Sequence, residues 1–153
     1  MSVSKGEFTR PSAIERLFNR AVGLVVRLGF APAEKFNIEV RGRKSGRIFS
    51  TPVNLLEVDG RKFLVAARGD TSWVRNARAA GRIELTKGSI RQPFTVRELP
   101  VSERNVALKA FLDRFASEVA RFFPVPPGSP PEAFAECAPR IPVFELTPVD
   151  SRD

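Results

Sequence analysis

Apolar residues recur at intervals of three and four between Ser12 and Gly29, and this spacing predicts an amphipathic helix. The apolar stripe consists of Ile14, Leu17, Phe18, Val22, Val25 and Val26. Ser12, with Glu15 three residues later, is typical of a capping box at the start of a helix. Because its polar face is basic, we expect this helix either to pack on the rest of the domain or to make peripheral contact with a membrane surface.

Six further segments have the alternating or extended apolar pattern of β-strands. They are Phe36–Arg41, Ile48–Val58, Arg61–Ala67, Arg82–Thr86, Gln92–Leu99 and Pro142–Thr147. Asp59-Gly60 is typical of a type I′ hairpin turn, and Lys87-Gly88-Ser89 indicates a second hairpin. Pro52 lacks an N–H donor, so we expect a bulge, a bend or a sheet edge at that position. Six strands joined by hairpins predict a mainly β fold with flanking helices (α+β), built as an antiparallel barrel that is closed or half-closed.

Two helices are predicted between the strands, over Ser72–Ala80 and Ser102–Phe123. Asp70 or Thr71 is the expected N-cap of the first helix, and Gly81 is its expected end. The second helix is expected to direct Val106, Leu108, Phe111, Leu112, Phe115, Val119 and Phe122 toward the core. The proline-rich residues 124–132 predict a stiff loop. We therefore expect a flexible arm at 1–11, one domain at 12–149 and a short tail at 150–153.

The composition limits the ligands and the catalytic groups that this chain can use. The 153 residues carry a net charge of +8, which indicates an anionic partner unless the excess simply solvates the surface. His and Tyr are absent and Cys137 is the only cysteine, which argues against a protein-ligated metal and against His-based acid–base catalysis. We expect Cys137 to be a buried apolar residue. The longest apolar run ends at Arg27 and is too short for a membrane span, and no signal-peptide pattern is visible, so the expected location is cytoplasmic.

The segment Arg41-Gly42-Arg43-Lys44-Ser45-Gly46-Arg47, here called the basic turn, connects two predicted strands. Its glycines permit positive φ angles and close approach of a ligand to the backbone. Successive N–H groups in such a turn can form a nest for an anion, and cationic side chains surround it. The basic turn therefore predicts a phosphate site, with a solvated surface turn as the alternative.

A second candidate segment spans residues 67–78, where a strand ends at Gly69 and a helix begins. Free N–H groups and the macrodipole attract anions to a helix N-terminus. Trp73 lies in the first helical turn, where its ring either walls a pocket or anchors the core. Asn76 follows at a helical spacing on the same face. The strands between this segment and the basic turn form the Asp59-Gly60 hairpin, so we expect the two segments to converge.

Segments 42–46, 52–53 and 72–81, in this order, resemble the deazaflavin-dependent nitroreductase family of split β-barrel proteins, whose fold is like that of flavin reductases and PNP oxidases. Residues 138–144 resemble the closing strand of that family, and the resemblance covers roughly residues 13–148. It implies an antiparallel split β-barrel that binds coenzyme F-420, with FMN or FAD as less favoured cofactors. It also implies hydride transfer from the reduced coenzyme to an electron-poor acceptor such as an enone, a quinone or a nitro compound.

The resemblance also implies which residues bind the coenzyme. The phosphate and acidic tail would meet Arg43, Lys44, Ser45 and Gly46. The family commonly has a basic residue at the position of Phe49, and Arg47 would take over its role here. The ring system would lie near Pro52, Val53, Ala66, Ala67 and Arg68, in a pocket closed by Trp73, Val74 and Asn76. Some members of the family place a tyrosine near the acceptor, but this chain has none. Water or the Ser72 hydroxyl is then the candidate proton donor.

Two other functions are compatible with a basic barrel of this kind. A non-catalytic protein on the same fold would bind a flavin, a haem or a fatty acid without turnover. A nucleic-acid binder is disfavoured, because rows of surface aromatics between basic residues are not apparent in the sequence. The sequence leaves open whether the protein is a monomer or a homodimer.

Overall fold

The computed structural model describes residues 34–149, so the predicted helix at 12–29, the arm at 1–11 and the tail at 150–153 lie outside the described residues. Seven strands of the described part form one antiparallel sheet in the order β2-β1-β5-β6-β7-β4-β3. Their bounds are β1 (Lys35–Arg41), β2 (Ile48–Asn54), β3 (Leu56–Val58), β4 (Arg61–Val65), β5 (Arg82–Lys87), β6 (Ile90–Glu98) and β7 (Val143–Pro148).

The two outer strands of this sheet are neighbours in sequence. Strand β2 ends at Asn54 and β3 begins at Leu56, so only Leu55 separates the two edges of the sheet. The sheet must therefore curl until the end of β2 and the start of β3 meet at one corner, because two Cα–Cα steps of about 3.8 Å span at most roughly 7 Å. The single run predicted over Ile48–Val58 is thus two strands that pair with different partners. Pro52 lies in the edge strand β2, which is one of its expected environments.

Two helices accompany the sheet. Helix α1 (Ser72–Ala80) has the predicted bounds, and Gly81 ends it in the left-handed conformation with φ 71°. Thr71 occupies the N-cap position, but its side chain makes no capping hydrogen bond. Helix α2 (Asn105–Val119) is shorter than predicted, because 3-10 turns at Val101–Glu103 and Ala120–Phe122 flank it.

Most of the predicted core face of α2 is buried, but the prediction for Val106 was wrong. Val106 is 60% exposed, whereas Leu108 and Leu112 are fully buried. Because successive helical residues are about 100° apart, Val106 lies roughly 200° around the helix from Leu108 and faces away from the core. Cys137 is fully buried, as expected, and burial raises the pKa of its thiol.

Local turn chemistry is as the sequence predicts. Asp59 and Gly60 have φ angles of 52° and 80°, the two positive values that a type I′ turn requires. The proline-rich loop is fastened to α2, since Lys109 Nζ donates to the Ser129 carbonyl at 2.9 Å and Gly128 N donates to Asp113 Oδ1 at 2.8 Å. No helix within residues 34–149 combines the length and the apolar character needed to cross a bilayer.

Candidate functional site

The basic turn closes the hairpin between β1 and β2 with backbone hydrogen bonds of its own. Gly42 N donates to the Arg47 carbonyl at 2.6 Å, and Gly46 N donates to the Gly42 carbonyl at 3.0 Å. Gly46 has a φ of 77°, which favours glycine. A Cβ at Gly42 would lie 2.6 Å from Phe49 Cε2, so a larger residue here would force the exposed Phe49 ring to move. The two glycines therefore serve different purposes, one conformational and one steric.

The cations of the basic turn have no acidic partners in the described part of the chain. Within residues 34–149, no carboxylate lies within 4.0 Å of Arg41, Arg43, Lys44 or Arg47. Other basic residues of the described chain do have partners; Arg61, for example, lies 2.8 Å from Glu145. An uncompensated cluster of this kind raises the local concentration of anions. The basic turn therefore carries positive charge that the described carboxylates do not neutralise, as the predicted phosphate site requires.

Asn76 of α1 joins the helix to the basic turn. Its Oδ1 accepts hydrogen bonds from Arg43 N at 3.1 Å and from Arg43 Nη1 at 2.8 Å. Only 3% of the Asn76 surface is exposed. The expected convergence of the two candidate segments is present, but its cause is the packing of α1 against β1 rather than the Asp59-Gly60 hairpin.

Two clefts open on either side of the α1 N-terminus. The basic cleft has a volume of about 420 Å³ and is lined by Gly42, Arg43, Lys44, Ser45, Arg47, Phe49, Ser50, Thr51, Ser72, Trp73 and Asn76. The inner cleft has a volume of about 390 Å³ and includes Thr51, Pro52, Val53, Asn54, Ala66, Ala67, Arg68, Thr71, Ser72, Trp73, Phe111, Glu118, Val119 and Phe122 in its lining. Thr51, Ser72 and Trp73 belong to both. The clefts therefore adjoin, and each has a size typical of small-molecule sites.

The residues predicted from the sequence divide between these clefts. Arg43, Lys44, Ser45, Arg47 and Asn76 line the basic cleft, whereas Pro52, Val53, Ala66, Ala67 and Arg68 line the inner cleft. Gly46 and Val74 line neither cleft. Val74 is fully buried because it lies on the face of α1 that packs into the core. Val74 therefore anchors α1 to the core, and Gly46 sets the conformation of the basic turn.

Trp73 combines the two roles that its position in the sequence left open. Its ring packs against Phe144, with 5.8 Å between the ring centroids and a tilt of 51°. The same side chain is only partly buried and lines both clefts. Trp73 is therefore held by the core while its free surface forms part of the wall where the clefts adjoin.

Asp70, just before α1, is engaged away from the helix N-terminus. Its carboxylate lies 3.0 Å from Arg78 Nη2, and hydrogen bonding from Arg78 lowers the pKa of this carboxyl. Arg78 also donates to Glu98 Oε1 at 2.7 Å. Among the described residues, therefore, no side-chain cap occupies the N–H groups at the start of α1. They remain available to an anionic or carbonyl-bearing ligand.

Three buried polar atoms of the inner cleft were not identified from the sequence. Thr71 Oγ1, Asn54 Oδ1 and Glu118 Oε2 have no hydrogen-bond partner in the part of the chain that the structure describes. All three residues line the inner cleft. Native proteins leave few such atoms unsatisfied, so the grouping of three around one cleft makes this cleft the candidate for a polar ligand. A signal for Glu118 was present, because this carboxylate interrupts the apolar face of α2 between Phe115 and Val119.

The curled seven-stranded sheet with its two adjoining clefts defines a barrel protein of the split type. The model of the family described as F-420H(2)-dependent quinone reductase matches residues 15–121, which is more than half of the chain. The chain belongs to this family. The predicted reliance on coenzyme F-420 is confirmed at the level of the family.

Solved structures support the fold. A domain-swapped dimer has 21% identity and a TM-score of 0.54, covering 88% of this chain and 96% of its own. An F-420-H2 dependent reductase has 24% identity and a TM-score of 0.50, covering 75% of this chain and 95% of its own. A candidate 5-nitroimidazole antibiotic resistance protein from Bacteroides thetaiotaomicron has 10% identity and a TM-score of 0.54, covering 86% and 80%. These similarities confirm the predicted split β-barrel. No curated protein matches the chain.

Proposed function

We propose that this protein transfers a hydride from reduced coenzyme F-420 to an electron-poor small molecule such as a quinone, an enone or a nitro compound. Membership of the family supports the coenzyme and the reductase class. The observation that carries the assignment of the site is that the two clefts adjoin at Thr51, Ser72 and Trp73. In this arrangement the basic cleft would hold the acidic tail of the coenzyme, and the inner cleft would hold its ring.

The basic turn holds the tail in this proposal. Its cations lack acidic partners among the described residues, so a phosphate or carboxylate need not displace an existing ion pair. Asn76 fixes Arg43 through two hydrogen bonds, which reduces the entropy lost when a ligand binds there. Lys44 and Arg47 contribute charge, and the compact turn lets the ligand approach the backbone.

The inner cleft would orient the reacting groups and shield them from water. Pro52, Val53 and Ala66 give it apolar walls, and the small side chains of Ala66 and Ala67 leave room for a flat ring. The bound coenzyme supplies the hydride, and the protein orients the two reactants and excludes water. Thr71 Oγ1 is buried and unpartnered among the described residues, and it offers one hydrogen bond to the edge of a polar ring.

The proton that accompanies the hydride comes from water or from Ser72 in this proposal. The chain has no His and no Tyr, so the usual neutral proton donors are absent. Ser72 is exposed and lines both clefts, next to Trp73. A hydride and a proton together reduce a quinone to a quinol by two electrons, without a covalent bond to the protein.

The first test is titration with oxidised coenzyme F-420, followed by quenching of Trp73 fluorescence, with FMN and FAD in parallel. Trp73 is the only tryptophan, so the signal reports on the site itself. We expect quenching by the deazaflavin. The double variant Lys44→Ala/Arg47→Ala should bind at least tenfold more weakly and with a smaller salt dependence.

Lys62→Ala is the matched control, because Lys62 lies on β4 and already pairs with Glu57 at 3.0 Å. Equal losses in the control and in the double variant would contradict the assignment of the basic turn. Binding of reduced coenzyme without oxidation by any quinone, enone or nitro acceptor would instead favour a non-catalytic binding protein.

A further inference from the structure

A buried polar cluster interrupts the apolar lining of the inner cleft. It consists of Lys35 on β1, Asn54 on β2 and Glu118 on α2. Lys35 and Asn54 are directly opposite each other in the β1–β2 pair. Lys35 Nζ donates to Glu118 Oε1 at 2.5 Å, and Asn54 Nδ2 donates to the same oxygen at 3.0 Å. Two elements of the sheet and one helix therefore converge on a single carboxylate oxygen.

Two further acceptor oxygens of this cluster lack a donor within the described part of the chain. Glu118 Oε2 and Asn54 Oδ1 are buried and lack hydrogen-bond partners among residues 34–149. The Glu118 side chain is only 7% exposed, so bulk water does not solvate it. An unsatisfied buried acceptor is costly, and native proteins retain few of them without a functional reason. Both residues line the inner cleft, so a ligand in that cleft is the expected source of the missing donor once the two side chains adjust to it.

The surroundings of the cluster limit the chemistry of this donor. Lys35 balances the charge of Glu118, so the cluster offers acceptor oxygens without a net negative charge that would favour a cationic ligand. Arg68 and Arg121 line the same cleft and also disfavour a cation. Phe111 and Phe122, from the region of α2 and the 3-10 turn after it, line the same cleft. A ligand that fits has an apolar or aromatic body and a neutral donor group at its edge.

We infer that the inner cleft selects electron-poor acceptors that carry a neutral hydroxyl or N–H group, which donates to Glu118 Oε2 and Asn54 Oδ1. The inference rests on the proposed function, since it names the substrate class of the same cleft. Phenolic enones and phenolic quinones belong to this class. Acceptors in which the donor is blocked by methylation leave both oxygens unsatisfied and bind more weakly.

The test compares para-hydroxybenzylideneacetone, an enone with one phenol, with its methyl ether. Their dissociation constants are measured by isothermal titration calorimetry on the full chain without coenzyme, at a pH where the phenol is neutral. The wild-type protein should bind the phenol about tenfold more tightly than the ether. Equal affinities would overturn the inference without any variant.

The variant Glu118→Gln makes the test specific. Lys35 and Asn54 still require an acceptor, so the new amide presents its carbonyl to them and its NH₂ group to the cleft. The preference for the phenol should then disappear or reverse in favour of the ether. An unchanged tenfold preference would overturn the inference.

Glu57→Gln is the matched control, because it removes the carboxylate of the exposed Lys62–Glu57 pair, which lies outside the inner cleft. This variant should keep the wild-type preference. Circular dichroism establishes that each variant is folded. If Glu118→Gln fails to fold, Asn54→Val replaces it in the test, because this variant removes one of the two acceptors. The preference for the phenol should then be reduced, and a full tenfold preference would overturn the inference. Because no coenzyme is used, failure of this test is separate from failure of coenzyme F-420 binding.

Discussion

Arg43 and Asn76 are 33 positions apart, yet one side-chain oxygen of Asn76 accepts both the backbone N–H and the guanidinium of Arg43. The contact joins the turn after β1 to the second turn of α1. Because the basic cleft uses residues from both elements, its shape depends on this contact. Hydrogen bonds that a charged group donates are the stronger kind, and here one of the pair is of that kind.

Replacing Asn76 with Ala should weaken coenzyme binding more than it weakens the fold. Arg43 is exposed and can bond to water instead, so the expected loss in free energy of unfolding is about 1 kcal/mol. The dissociation constant for coenzyme F-420 should rise about tenfold, because the guanidinium is no longer held in place. Urea denaturation and Trp73 quenching measure the two effects. Asn76→Asp keeps the acceptor and should retain the stability; equal destabilisation by both variants would contradict this account.

Gly42→Ala tests the steric role of the first glycine in the basic turn. The added Cβ would lie 2.6 Å from Phe49 Cε2 and 3.2 Å from the Arg47 carbonyl oxygen. Phe49 must turn away, but its ring is exposed, so we expect a loss of only about 1 kcal/mol in free energy of unfolding. Phe49→Ala in the same chain should recover part of that loss, so the double-mutant cycle should show a clear coupling energy. If the two changes in free energy of unfolding are strictly additive, the Phe49 ring is not the reason that Gly42 resists substitution.

Some of this architecture is predictable from the sequence because its cause is local. Asp59-Gly60 and Gly81 have positive φ angles that their own residue types favour, so neighbouring residues suffice to predict the turn and the helix end. The division of the second predicted strand at Leu55 has a different cause, because the extended pattern continues through that residue. Only closure of the sheet requires the chain to change its pairing partner there.

The candidate site was predictable only where its residues form continuous segments. The basic turn and the start of α1 were found because cations, glycines and a helix start are each visible over a few positions. The Lys35–Glu118 pair joins residues 83 positions apart, and nothing in a linear pattern brings them together. For Val106 the prediction was wrong in the opposite direction. This apolar residue near the start of α2 was assigned to the core face of the helix, but its side chain is exposed.

Thr71→Val should separate a structural role of this residue from a role in binding. The Thr71 hydroxyl makes no capping hydrogen bond, and its oxygen is buried and unpartnered among the described residues. Removing it should leave the free energy of unfolding unchanged or slightly higher, because an unsatisfied polar group is lost. Coenzyme affinity should nevertheless fall about fivefold to tenfold, as one hydrogen bond to the ligand disappears. Thr71→Ser, which keeps the hydroxyl, should bind normally. A destabilised valine variant with normal affinity would assign the hydroxyl to the fold.

The pH dependence of stability should contain a component from Glu145 on β7. Hydrogen bonds from Arg61, at 2.8 and 2.9 Å, lower the pKa of this carboxyl from 4.5 to about 2. Arg97 on β6 also donates to it, at 3.3 Å. Between those two pH values the unfolded chain takes up a proton that the folded chain does not. The stabilisation is therefore complete above pH 4.5 and is lost as the pH falls toward about 2.

Glu145→Gln removes this component, so the difference in free energy of unfolding between wild type and variant should be largest near neutral pH and should shrink toward pH 2. Urea denaturation at a series of pH values measures it, and the other carboxylates, common to both proteins, cancel in the difference. Glu132→Gln is the control, because Glu132 is exposed and has no ion pair within residues 34–149, and its curve should run parallel to that of the wild type. A constant difference between wild type and Glu145→Gln from neutral pH to pH 2 would show that folding does not change the protonation of Glu145. The Arg61–Glu145 pair would then stabilise the β4–β7 pair only by packing.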